Sequence, residues 1–117
     1  MDIIATSQKI QEKINESEMV RGVIKERITD SAKANAEYDK SMAKTIVQLL
    51  AGVEFELDGI KTGIVKATNV EKIAKGINWQ KRLDMDTKKG LLDSAKINLD
   101  GIASELNGYQ SINKHIN

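Results

Sequence analysis

Between residues 7 and 51, apolar side chains recur every three or four positions: Ile10, Ile14, Val20, Ile24, Ile28, Ala32, Tyr38, Met42, Ile46 and Leu49. That is the period of one face of an α-helix. Ser7 is the expected N-cap, because a short polar side chain there accepts a bond from an orphaned backbone N–H. Gly52, directly after Leu50 and Ala51, is the expected stop. The period then changes. Val53, Phe55 and Leu57 alternate with Glu54 and Glu56, as in a half-buried strand, and Asp58-Gly59 follows. That pair tolerates the positive φ angles of a two-residue hairpin loop, so a β-hairpin over about 53–65 is expected.

Helical spacing resumes with Val70, Ile73, Ala74 and Ile77, behind Thr68-Asn69-Val70-Glu71. This tetrapeptide fits the capping box, in which the first and last side chains satisfy backbone donors. Gly76 interrupts, and Asn78 is placed to cap a fresh start. A short helix over about 69–75 is therefore expected, then a long one over about 79–113. The long helix carries Leu83, Leu91, Ala95, Leu99, Ile102, Leu106, Tyr109 and Ile112. The fold expected is mainly α in a single domain of residues 1–117. Two long helical arms, a helical hairpin or bundle with coiled-coil character, are joined by a short β-hairpin near 53–65. A first helix of this length spans roughly 65 Å at about 1.5 Å per residue. Its seam needs a covering helix, which favours a homo-oligomer.

Composition agrees with that pattern. Aromatics are 3% of the chain, which places burial on Ile, Leu, Val and Ala along helix seams. No proline is present to force a helix to stop or kink. No cysteine is present either, which removes disulfides, thiolate metal ligands and a thiol nucleophile, and suits a reducing compartment. The start, Met1-Asp2-Ile3-Ile4-Ala5, lacks a signal-peptide pattern, and no apolar run is long enough for a membrane span. A soluble protein of the cytoplasm is expected.

The net charge of +1 hides an asymmetry. Residues 1–60 hold 8 Lys/Arg against 11 Asp/Glu, and residues 61–96 hold 9 against 4. An acidic first arm thus faces a basic segment in the second, which suits antiparallel packing as well as nucleic-acid contact.

Residues for catalysis are scarce. The lone histidine, His115, lies at the end of the chain without an activating partner. Asp84 and Asp86 are two apart on a helix and point away from each other, so with Asp93 they read as a solvated face. No glycine cluster ends in the Gly-Lys-Ser/Thr of a phosphate loop. No catalytic residue, cofactor or metal site is expected, and the chain reads as a non-enzyme. Val70 to Lys89 has a helix-turn-helix outline, with a turn at Gly76-Ile77-Asn78. Its cations Lys72, Lys75, Lys81, Arg82, Lys88 and Lys89 are the candidate nucleic-acid contacts. Trp79, the single tryptophan, is either an anchor for the hairpin or a hot spot for a protein partner, since it buries much area at little entropic cost. With the hairpin residues Phe55 and Asp58, and with Lys81 and Arg82, it forms the candidate partner-binding set.

Three stretches together carry a resemblance: Glu37-Tyr38-Asp39-Lys40 leading to Gly52-Val53-Glu54-Phe55-Glu56-Leu57; Thr68 to Gly76; and Gly101 to Asn113, with Leu106-Asn107-Gly108-Tyr109-Gln110-Ser111-Ile112. Over roughly residues 30–117 the chain resembles small helical proteins from the early or recombination regions of bacteriophages and prophages of Gram-positive bacteria. The resemblance implies a phage accessory acting in the host cytoplasm on a host or phage protein. Inhibition of a bacterial defence system, or a part in recombination or replication, are the roles it suggests. It transfers no active-site residue.

Overall fold

The computed structural model describes residues 2–116. The order of elements is α1 (Ile3–Leu50), β1 (Glu56–Leu57), β2 (Ile60–Lys61), a 3-10 turn (Ala67–Asn69), α2 (Val70–Ile77) and α3 (Trp79–Ile116). The chain divides into two compact units, and the boundary falls inside both long helices. The first unit holds the residues up to Thr29 and those from Lys89 onward; the second holds Asp30–Lys88.

In the first unit the start of α1 runs antiparallel to the end of α3. Lys13 meets Glu105, and a cleft beside that pair runs on to Val20 and Asn98. A seam of inward positions on α1 runs through Thr6, Ile10, Lys13, Ser17, Val20, Ile24 and Arg27, with the half-buried Ile14 beside it; that of α3 runs through Leu92, Ala95, Leu99, Ile102, Leu106, Tyr109 and Asn113. Both series alternate steps of three and four, the 3.5-residue period of a coiled-coil seam. Α1 begins earlier than expected. Asp2, not Ser7, is the cap: its carboxylate accepts the Ala5 N–H at 2.8 Å, while its carbonyl accepts the Thr6 hydroxyl at 2.9 Å.

In the second unit the seam of α1 continues through Ser31, Ala34, Tyr38, Ser41, Thr45 and Gln48. This corrects the expected stripe at two positions, because Ile28 and Ala32 are exposed. Steps of four from Ile24 drift off a 3.5-residue seam, which returns by a step of three to Arg27. The same reasoning moves Leu83, Leu91 and Ile112 to the outside of α3 and puts Met85, Leu92 and Asn113 inward.

Α1 ends as expected at Gly52, whose φ is 85°. Gly52 N–H donates to the Leu49 carbonyl at 3.1 Å and Val53 N–H to the Gln48 carbonyl at 3.0 Å, the paired bonds of a Schellman cap. Val53 therefore belongs to the helix cap and not to a strand. The hairpin is shorter than 53–65. Glu56 pairs with Lys61 and Leu57 with Ile60, around the loop Asp58-Gly59. The φ angles of 48° at Asp58 and 81° at Gly59 make this the expected primed turn. Phe55 and Thr62 extend the pairing by two bonds: Thr62 N–H to the Phe55 carbonyl at 2.8 Å, and Phe55 N–H to Thr62 Oγ1 at 3.0 Å.

The capping box does not form. Thr68 lies inside the 3-10 turn, and Asn69 precedes α2 without a side-chain capping bond. The apolar core of this unit is Leu49, Val70 and Ala74, with Met42, Ile46, Phe55, Val65, Ile73 and Ile77 against it. Among the described residues no helix is long and apolar enough to cross a membrane.

Candidate functional site

The junction between α2 and α3 is built on Asn78, a buried polar side chain. Its amide nitrogen donates to Thr45 Oγ1 at 3.0 Å and to the Ala74 carbonyl at 2.9 Å. Its amide oxygen accepts the Ser41 hydroxyl at 2.5 Å, and Thr45 in turn donates to the Ser41 carbonyl at 2.8 Å. The side chain therefore closes the end of α2 and ties the junction to α1. It does not cap the start of α3 as the sequence suggested. A buried amide with its polar atoms satisfied fixes one relative placement of its neighbours, since a misplaced partner leaves a desolvated group unpaired.

The next residue, Trp79, points the other way. It is 54% exposed, and Leu83, one turn along on the same face of α3, is 58% exposed. Trp79 is thus not the anchor of the hairpin. That task falls to Phe55, which packs on the core, and to Leu57, whose Cδ1 lies 3.7 Å from the position of a Cβ on Gly76. A small residue at 76 lets the hairpin lie close on α2. Of the candidate partner-binding residues, then, Trp79 and Arg82 stand exposed on α3, and Lys81 lies exposed on the side of α3 nearer α1. Asp58 stands exposed in the hairpin loop, and Phe55 faces inward.

The candidate nucleic-acid cations do not form one track. Lys75 pairs with Glu71 at 3.5 Å, Arg82 with Asp86 at 3.8 Å and Lys88 with Asp84 at 3.3 Å, each one helical turn apart. Lys72 lines a separate cleft of about 500 Å³ with Ile64, Lys66 and Asn69. Lys81 lies elsewhere, in a cleft of about 440 Å³ with Glu37, Lys40, Ser41 and Lys44. Lys40, Lys44 and Lys81 make no ion pair among the described residues. Sequence reasoning missed Lys40, Ser41 and Lys44. The signal was present in part: two lysines four apart with a serine between them share one face of a helix. What brings Lys81 to them is the Asn78 latch, which only the folded chain reveals.

In the first unit, Lys13 reaches Glu105 at 2.6 Å and Glu16 at 3.1 Å. The hydrogen bond to Glu105, followed by that to Glu16, holds its ammonium well above the usual lysine value. The outer face of α3 there carries Gly90, Ser94, Ile97, Gly101, Ser104 and Gly108, with the exposed Asp93 and Asp100 along one flank. A Cβ added at Gly90, Gly101 or Gly108 meets nothing within 4 Å. Compared with family models, with curated proteins and with solved structures, the chain matches none.

Proposed function

We propose that this chain is a non-enzymatic phage accessory that acts by binding a protein of the host or phage, as a homo-oligomer. Its sharper form is inhibition of a bacterial defence system. The observation that carries the reading is the pair Trp79 and Leu83, more than half exposed on one face of α3, directly beside the buried Asn78 latch. A large apolar pair held on a rigid junction is the usual anchor of a protein interface, because little entropy is lost when it is covered. Hairpin-side apolar residues Val53, Ile60 and Ile64 are exposed in the same unit and add to the surface available to a partner. The phage context rests on the resemblance over roughly residues 30–117.

The test is affinity capture from host lysate with the full chain and with Trp79→Ala. Enrichment of one protein by the parent and its loss with the variant supports the reading. Enrichment of DNA in place of protein, sensitive to salt, favours the alternative of a nucleic-acid-binding accessory of recombination or replication.

A further inference from the structure

We infer that the cleft between α1 and the start of α3 in the second unit is a binding site for a terminal phosphate group, carried by a nucleotide-sized ligand. Three lysines line it, Lys40 and Lys44 from successive turns of α1 and Lys81 from α3, with Glu37 as the one acid in the lining. The net charge of the lining is +2, which matches a phosphomonoester near neutral pH, where its charge is about −1.5 to −2. A single carboxylate would leave the lining under-neutralised. Lysine suits this ligand because its ammonium is a point charge with three donors and needs no planar partner. None of the three is spent on a carboxylate of this chain among the described residues, unlike Lys75, Arg82 and Lys88 nearby.

The floor is fixed in advance. Ser41 donates its proton to Asn78 at 2.5 Å, and Asn78 is held by Thr45 and the Ala74 carbonyl. The backbones bearing the lysines are thereby set relative to one another before a ligand arrives, which lowers the ordering cost of binding. The cleft, about 440 Å³, has room for the group that bears the phosphate as well as for the phosphate. Glu37 disfavours a continuous polyanion, because an internal phosphodiester brings neighbouring charges to the rim beside this carboxylate. The same acid can accept a hydrogen bond from a ligand hydroxyl.

The site is independent of the Trp79 surface, so either can fail alone. The experiment titrates the full-length, isotope-labelled protein at low salt with adenosine monophosphate, with inorganic phosphate, and with a single-stranded oligonucleotide lacking terminal phosphates. Amide shifts of Ser41, Lys44 and Lys81 are followed. Saturable shifts with the monophosphate, weakened at least ten-fold in Lys40→Gln/Lys44→Gln and strengthened several-fold in Glu37→Gln, are expected. Lys33→Gln, on α1 outside the cleft, leaves the affinity unchanged. Inorganic phosphate that binds as tightly as the monophosphate overturns the nucleotide-sized ligand and leaves a site for phosphate alone. The proposal is overturned if no saturable shift occurs, if Lys33→Gln weakens binding as much as the double variant, or if the oligonucleotide binds the cleft more tightly than the monophosphate. A thermal melt of each variant shows that a loss is not unfolding.

Discussion

The two units of this protein solve burial differently. The second closes its helix pair with further elements: α2, the 3-10 turn and the hairpin supply Val70, Ala74, Phe55 and Val65 around Leu49. Among the described residues the first has only two helices. Among its described residues the buried side chains are Ile102, Thr6 and Ser17, and its seam includes Lys13 and Arg27. Two helices alone leave both flanks of their seam beside water, so polar side chains and long aliphatic stems are tolerated there. A third element seals one flank, and the interior then selects apolar residues. The exceptions in the sealed unit, Asn78 and Thr45, are tolerated because their bonds are made.

The largest effect that tests this contrast is Leu49→Ala. A nearly fully buried leucine amid several elements leaves a cavity, and a loss of about 2–5 kcal/mol is expected on chemical denaturation. Ile102→Ala in the two-helix unit is expected to lie at the lower end of that range, since the open seam collapses more readily onto the gap. An equal or larger loss at Ile102 would break the comparison. Next comes Asn78→Ala, which orphans the Ser41 hydroxyl, removes the donor to Thr45 Oγ1 and is expected to cost about 1–3 kcal/mol. Ser41→Ala in the same background adds less than it does alone, a coupling that a double-mutant cycle measures. Hydrogen exchange sharpens the contrast further. Amides of Leu49 and Ala74 are expected to open only with global unfolding, and those around Ile102 at lower free energy.

A smaller effect of opposite sign is expected at Gly101→Ala. The backbone is helical there and an added Cβ meets nothing, so stability rises by up to about 1 kcal/mol. If the outer face of α3 around Gly101 is covered by a second copy in solution, light scattering will show weaker association in the same variant. The smallest effect is at Lys13, whose ion pairs lie at the surface. Its ammonium is held above the ordinary lysine value, so the folded chain keeps this proton more firmly than the unfolded chain. The associated stabilisation is whole below the ordinary value and is lost as pH rises above it. Lys13→Gln should therefore differ least from the parent at strongly alkaline pH, as alkaline melts would show.

Much of the fold was legible in particular residues. Gly52 and Asp58-Gly59 dictate backbone conformations that few other residues adopt, so the end of α1 and the hairpin loop were readable with no tertiary knowledge. The core position of Leu49, Val70 and Ala74 followed from helical spacing. The candidate site was less legible. Trp79 was noticed for its side chain, but whether it lay inward depended on how the α2–α3 junction turns. Lys40 and Lys44 were ordinary surface lysines until Lys81 joined them.

Local backbone preference and composition suffice to specify the mainly helical plan, the break at Gly52, the primed turn and the absence of thiol chemistry. The register of the seams is set by packing between the helices. Steps of three and four are nearly degenerate along one helix, and Arg27 displaces Ile28 from the inside only because a 3.5-residue seam faces a neighbour. Packing also turns Asn78 inward and Trp79 outward. Adjacent positions on a helix lie about 100° apart, and a partner on the Asn78 side leaves Trp79 to the solvent.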